Sequence, residues 1–158
     1  KLLAFLAQGL DQLHARHLRQ AEVDDADVEG HLAAHVQAFL AALGGIAIGQ
    51  GVFQGVEQPI SAFLADRFPA TPDPRLAEVT IGDLLSMQAG LGSTSGANYG
   101  AWVSSRDWVR YALARPFEAE PGGRMVYSTG TSHLTSACLT RASGRSTLAL
   151  ARDWLGAA

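Results

Sequence analysis

The chain has 158 residues, 47% of them hydrophobic and 17% charged, with a net charge of −3 and a pI of about 5.9. That is long enough for one domain with a sizeable core. The acidic balance leaves no electrostatic footprint for nucleic acid, and no apolar run reaches the 18 or so residues of a membrane span. Cys138 is the single cysteine, which excludes an intrachain disulfide and fits a reducing, cytoplasmic setting. Lys1 is the only lysine, against eleven arginines, so no buried catalytic lysine is available.

The first predicted element is a helix over 2–20, where Leu3, Leu6, Leu10 and Leu13 recur at steps of three and four and His17 continues the stripe. An acidic run, Glu22 to Glu29, separates it from a second helix. Asp24 or Asp25 is placed to cap that helix, and Asp27 and Glu29 lie near its start, where negative charge suits the helix dipole. The second helix runs through Val28, Leu32, His35, Phe39 and Leu43 and is expected to stop at Gly44-Gly45. A helix end and turn over 46–53 follows, then a short helix over 59–68 closed by Pro69 and a turn at Thr71-Pro72-Asp73-Pro74. Thr80 reads as the cap of a helix over 80–87, and 90–100 reads as a Gly- and Ser-rich loop. Ser105 reads as the cap of a helix over 106–114, and Pro116 to Gly123 as a second loop. Tyr127-Ser128-Thr129-Gly130 leads into a long helix over 132–142, and a final helix spans 146–154. No alternating strand pattern exceeds about four residues, so the expected class is all-α. Met87, Met125, Trp102, Trp108 and Trp154 read as core or interface, and Cys138 as a small core residue.

Four of the five histidines fall in the first 35 residues, as His14 and His17 and then His31 and His35. Each pair shares one helical face, with Cβ atoms roughly 5–6 Å apart. If the two helices fold back antiparallel about residues 22–25, His17 lies level with His31 and His14 with His35. Two readings follow. In one, the imidazoles are solvated or hydrogen-bonded side chains. In the other, His17, His31 and His35 bind Zn2+ (or Mn2+), with His14 as a fourth ligand or as the ligand of a second metal. Asp27, one turn before His31, would then complete the shell or orient an imidazole as a candidate catalytic group, and Asp11 has the same option beside His14. On the metal reading, zinc-bound hydroxide attacks an activated phosphodiester or similar small-molecule ester, and Arg16 and Arg19 favour an anion.

Further along, four stretches carry a family resemblance. They are Gly45-Ile-Ala-Ile-Gly-Gln-Gly51, Val79-Thr-Ile-Gly-Asp-Leu-Leu-Ser-Met-Gln-Ala-Gly-Leu91, Pro121-Gly-Gly-Arg-Met-Val-Tyr-Ser-Thr-Gly130 and Leu139-Thr-Arg-Ala-Ser-Gly144. Through them residues 45–155 resemble the β-lactamase-like serine hydrolases related to class C β-lactamases and penicillin-binding proteins. The resemblance implies the helical part of a two-part fold whose other part is an antiparallel sheet. It also implies a Ser-x-x-Lys nucleophile, a Tyr-x-Asn-like motif and a Lys-Thr-Gly strand. The first motif should lie eleven residues before Gly45, where the chain reads Ala34-His35-Val36-Gln37. Alanine stands for the serine and glutamine for the lysine. Tyr127 matches the tyrosine and is the candidate catalytic residue the resemblance supplies, while Thr129 stands where asparagine would. His133 reads as a buried polar residue of the old active-site wall.

The expected architecture is therefore a His-rich hairpin (1–44) packed on the helical segment of a β-lactamase-like fold (45–158), forming a single helical domain without the parent sheet. Apolar surface left bare by that sheet points to a homodimer. The functional expectation is a metal-dependent hydrolase of the phosphodiesterase or esterase type. The alternative is a catalytically inactive remnant of the serine hydrolases that acts as a binding or structural module.

Overall fold

The computed structural model describes residues 25–156, with side chains from residue 35 onward. The predicted helix over 2–20 lies outside them. Among the described residues there are helices and no strands, as the all-α reading expects.

Helix α1 (Asp25–Gly49) is the longest, at 25 residues. It does not stop at the Gly44-Gly45 pair but passes through it and ends one turn later. The reason is packing. A Cβ on Gly44 would come within 2.8 Å of Leu85, so a side chain is excluded where α1 crosses the helix that carries Leu85. Gly45 has open space around it. Leu40, Leu43 and Ala47, at helical spacing, bury the inner face of α1.

The short helix α2 (Ser61–Leu64) runs into a 3-10 turn over Ala65–Arg67, and a second 3-10 turn spans Pro74–Ala77. The predicted turn at 71–74 therefore leads into helical structure. Asp73 caps it by accepting from Arg75 N. Helix α3 (Ile81–Leu85) begins as expected at Thr80. The Thr80 hydroxyl accepts from Asp83 N while the Asp83 carboxylate accepts from Thr80 N, a reciprocal capping box. Met87, just past its end, adopts the left-handed region at φ 59° and turns the chain back. Val126 N then donates to Met87 O at 2.8 Å.

The stretch from Gly90 to Gly100 is less of a loop than its composition suggests. It holds a 3-10 turn (Gly96–Asn98) that continues into α4 (Tyr99–Val103). Helix α5 (Trp108–Leu113) starts two residues later than the sequence suggests. Asp107, not Ser105, is its cap and accepts from Arg110 N at 2.9 Å. Helix α6 (Thr129–Ser143) starts three residues earlier than expected and closes on Gly144, whose φ of 68° is the left-handed C-terminal conformation that glycine adopts without cost. Helix α7 (Thr147–Leu155) matches the final helix expected over 146–154, and Ser146 serves as its cap.

Helix α6 is the axle of the fold and packs against α1, α2, α3, α5 and α7. Leu134, Cys138 and Leu139 on α6 are fully buried among Leu43, Ile60, Leu64, Leu84, Leu113 and Leu150. Two isolated antiparallel bridges, Pro59 with Thr80 and Leu91 with Phe117, tie the connecting segments together. Of the residues read as core or interface, Met87 and Trp102 are buried in the core, whereas Met125 is 66% exposed and lies outside it. No helix among the described residues is long and apolar enough to cross a membrane.

Candidate functional site

A helix as polar as α6 can be buried only if its hydroxyls find partners. Thr131, Ser132 and Thr135 are all buried on its inner side. Thr135 Oγ1 donates back to Thr131 O within the helix at 3.1 Å. Ser132 Oγ reaches across to α1 and donates to Gln37 Oε1 at 2.9 Å. Gln37 in turn donates from Nε2 to Leu85 O at 2.8 Å. A neutral amide thus joins α1, α3 and α6 at one point, using its acceptor on one neighbour and its donor on another. Gln37 occupies the lysine position of the resembled motif. The sequence pointed to it only as a missing lysine, because its partners lie 48 and 95 residues away.

The start of α6 is stitched to the Gly- and Ser-rich segment before α4. Ser93 Oγ donates to Tyr127 O at 2.7 Å, and Thr94 N donates to Ser128 Oγ at 3.1 Å. Thr129 N donates to Ser95 Oγ at 2.9 Å, and Gly130 N donates to Thr94 Oγ1 at 2.7 Å. The first N–H groups of a helix have no partner inside it. Here they are capped by hydroxyls from another segment. Ser128, the N-cap residue, makes no side-chain cap bond of its own. Gly130 is required by this closeness, since a Cβ there would meet Thr94 Oγ1 at 2.8 Å and Ala112 Cβ at 3.1 Å.

Tyr127 precedes that seam. Its hydroxyl is enclosed and accepts or donates no hydrogen bond among the described residues. Burial raises the phenol above its ordinary value, with the nearby Thr129 hydroxyl acting in the opposite direction. It is therefore a protonated phenol, not a base. His133, one residue beyond Ser132, faces a different side of α6. Its ring meets the edges of Trp102 and Trp108 at centroid distances of 5.9 and 5.5 Å. Desolvation holds the imidazole below its usual range, opposed by the Asp107 charge.

The expected histidine hairpin falls largely outside the described residues. His14 and His17 lie outside the described residues, as do Asp11, Arg16 and Arg19. His31 and Asp27 lie in the part of α1 whose side chains are not described. His35 is exposed on α1. Among the described residues no group of three histidine, cysteine or acidic side chains is placed to hold a metal ion.

A tyrosine at the head of a buried polar helix thus lies beside a long helix that carries Ala34 and Gln37. The Beta-lactamase family model matches residues 31–157, and the chain belongs to that family. The match reaches back to residue 31, beyond the Gly45 at which the sequence resemblance began, and takes in Ala34 and Gln37. The octameric penicillin-binding protein homologue from Pyrococcus abyssi shares the fold, with 22% sequence identity and a TM-score of 0.50 over 70% of this chain. The chain spans 27% of that protein's length. No curated protein sequence matches.

Family membership overturns the metal-dependent hydrolase expected from the histidines. The lineage is that of the serine hydrolases, and the described residues offer no metal-binding group to set against it. A zinc-bound hydroxide and a phosphodiester substrate are not retained.

Proposed function

We propose that this chain has left acyl transfer behind and that its helical segment serves as a binding and structural module. The observation that carries this reading is Gln37. At the lysine position stands an amide whose two ends are already engaged by Ser132 and Leu85. The lone pair of an amide nitrogen is delocalised into the carbonyl and does not take a proton from a hydroxyl, so it cannot activate a nucleophile as a neighbouring base does. Ala34, at the serine position, has no oxygen to activate. Tyr127 remains, but as a protonated phenol with neither partner to serve.

The retained architecture supports binding in place of turnover, since the hydroxyl seam holds Tyr127 in position without the residues that would use it. A small-molecule ester or β-lactam resting beside Tyr127 would stay intact. Association of two chains belongs to the same reading. The exposed Met125 lies two residues from Tyr127, and the structural relative is octameric. Light scattering that gives a monomer at micromolar concentration would remove association from the reading.

The deciding experiment is incubation with a fluorescent penicillin, followed by denaturing electrophoresis. The chain is expected to carry no covalent label and to leave a chromogenic ester unhydrolysed above background. A stoichiometric, denaturation-resistant label would overturn the proposal.

A further inference from the structure

We propose that the cavity between α5, α6 and the 3-10 turn after α2 binds a small carboxylate carried on a flat apolar body, as in an aryl carboxylate. This cavity is a groove open to solvent, of about 360 Å³, lined by Arg67, Arg106, Asp107, Trp108, Val109 and His133, with Arg106 itself exposed. That volume lies within the range of small-molecule sites.

The charges around it are unevenly used. Arg67, Arg110 and Arg141 share Asp66 and Asp107. Arg67 lies 2.7 Å from Asp107 and 3.3 Å from Asp66, Arg141 3.0 Å from Asp66, and Arg110 3.8 Å from Asp107. The second oxygen of Asp107 caps α5. Arg106 makes no ion pair or hydrogen bond among the described residues, so one guanidinium is left over at the cavity wall. In a chain of net charge −3, this is a local excess of positive charge. A guanidinium presents a planar fork of donors that fits a carboxylate through two parallel hydrogen bonds. One uncommitted arginine suits one carboxylate. A phosphate dianion would call on cations that the aspartates already hold.

The rest of the lining selects the body attached to that carboxylate. Trp108 uses its Nε1–H on Val103 O at 3.1 Å, so its indole offers the ligand a ring and no donor. Val109 adds apolar surface. His133 touches the two tryptophan rings and makes no hydrogen bond among the described residues. Its neutral imidazole has one donor and one acceptor to offer. A flat ring against Trp108 with its carboxylate at Arg106 uses the apolar surface and the uncommitted guanidinium together.

This inference deepens the binding-module reading without resting on it. Ser132 bonds to α1 through Gln37, whereas His133 meets the tryptophans of α4 and α5. Penicillin labelling would therefore refute the loss of acyl transfer and leave this cavity untested by that result. The test is a titration of the whole chain with benzoate, followed by the Trp108 indole N–H resonance. Benzyl alcohol and inorganic phosphate are run alongside, and Arg145→Ala serves as a variant outside the cavity. Benzoate is expected to give a saturable shift that benzyl alcohol does not. Arg106→Ala should weaken benzoate by about ten- to a hundred-fold, Arg106→Lys by less, and Arg145→Ala not at all. Absence of a saturable shift would overturn the proposal. So would equal responses to benzyl alcohol, phosphate binding as tight as benzoate, or unchanged affinity in Arg106→Ala.

Discussion

The two ends of α6 are held by different physics. Its C-terminal half is apolar packing, with Leu134, Cys138 and Leu139 buried among leucines and isoleucines from α1, α2, α3 and α7. Its N-terminal end is a polar seam, where Ser93, Thr94 and Ser95 run alongside Tyr127, Ser128 and Thr129 at a constant separation of 34 residues. That constant offset means the two segments travel in the same direction, joined through side-chain hydroxyls and not through a backbone ladder. Apolar packing is non-directional and roughly proportional to the area buried, so it tolerates exchange of one hydrophobe for another of similar volume. The seam depends on direction, since each hydroxyl must point at a particular N–H, oxygen or carbonyl. At the resembled lysine position the scaffold uses the directional kind of contact as well, since Gln37 ties α1 to α3 and α6 through its amide.

That comparison can be broken from either end. The largest effect is expected in the packed half. Leu139→Ala should cost about 2–5 kcal/mol of unfolding free energy, since Leu139 is fully enclosed and the deletion leaves a cavity. Urea denaturation measures it, and a loss below about 1 kcal/mol would mean this end is not the core. In the seam, Thr94→Val keeps the shape but removes the oxygen that accepts from Gly130 N. Leaving that buried donor unpaired should cost about 1–3 kcal/mol, with Thr94→Ser recovering most of it. Equal stability of the valine and serine variants would show that packing, not hydrogen bonding, holds the seam.

A smaller effect reads out the tryptophan side of α6. Because desolvation depresses the His133 imidazole in the folded chain, the unfolded chain takes up a proton first as pH falls below the ordinary histidine value of 6.5. Stability contributed by the neutral ring is thus complete above that value and declines as the pH drops toward the depressed folded value. Thermal melts between pH 7.5 and 5 should show this decline, and His133→Gln should flatten it. A profile with the same slope in both proteins would assign the decline to other groups. The smallest change is expected at the surface. Arg145 and Asp153 approach to 3.0 Å, but both are about half exposed. Asp153→Asn should therefore alter unfolding free energy by about 0.5 kcal/mol or less.

Much of the fold was legible because local chemistry and tertiary packing agreed. The cap at Thr80, reciprocated by Asp83, acts within a few residues of chain, and the helices expected over 80–87, 132–142 and 146–154 all form. Errors arose where a distant contact overrode a local signal. Gly44-Gly45 resembles a helix end, but Leu85 fills the space that a side chain at residue 44 would occupy and α1 continues. The end of the stretch read as a loop over 90–100 folds helically from Gly96 and runs on into α4, a case in which a nearby contact decides, with Trp102 buried against Trp108. The start of α6 could not be placed by its own residues, because its capping oxygens come from Thr94 and Ser95.

The order of residues alone determined the helical class, the cap at Thr80 and the family resemblance, since each depends on which side chains lie within a turn or two of one another. It also showed that Ala34 and Gln37 stand where a serine and a lysine would. Only the tertiary structure decided what Gln37 does instead, and that the arginine lining the groove beside Trp108 and His133 has no counter-charge among the described residues. Both are matters of accounting across space: whether a polar group is satisfied depends on every neighbour the fold brings to it, and those neighbours lie tens of residues away along the chain.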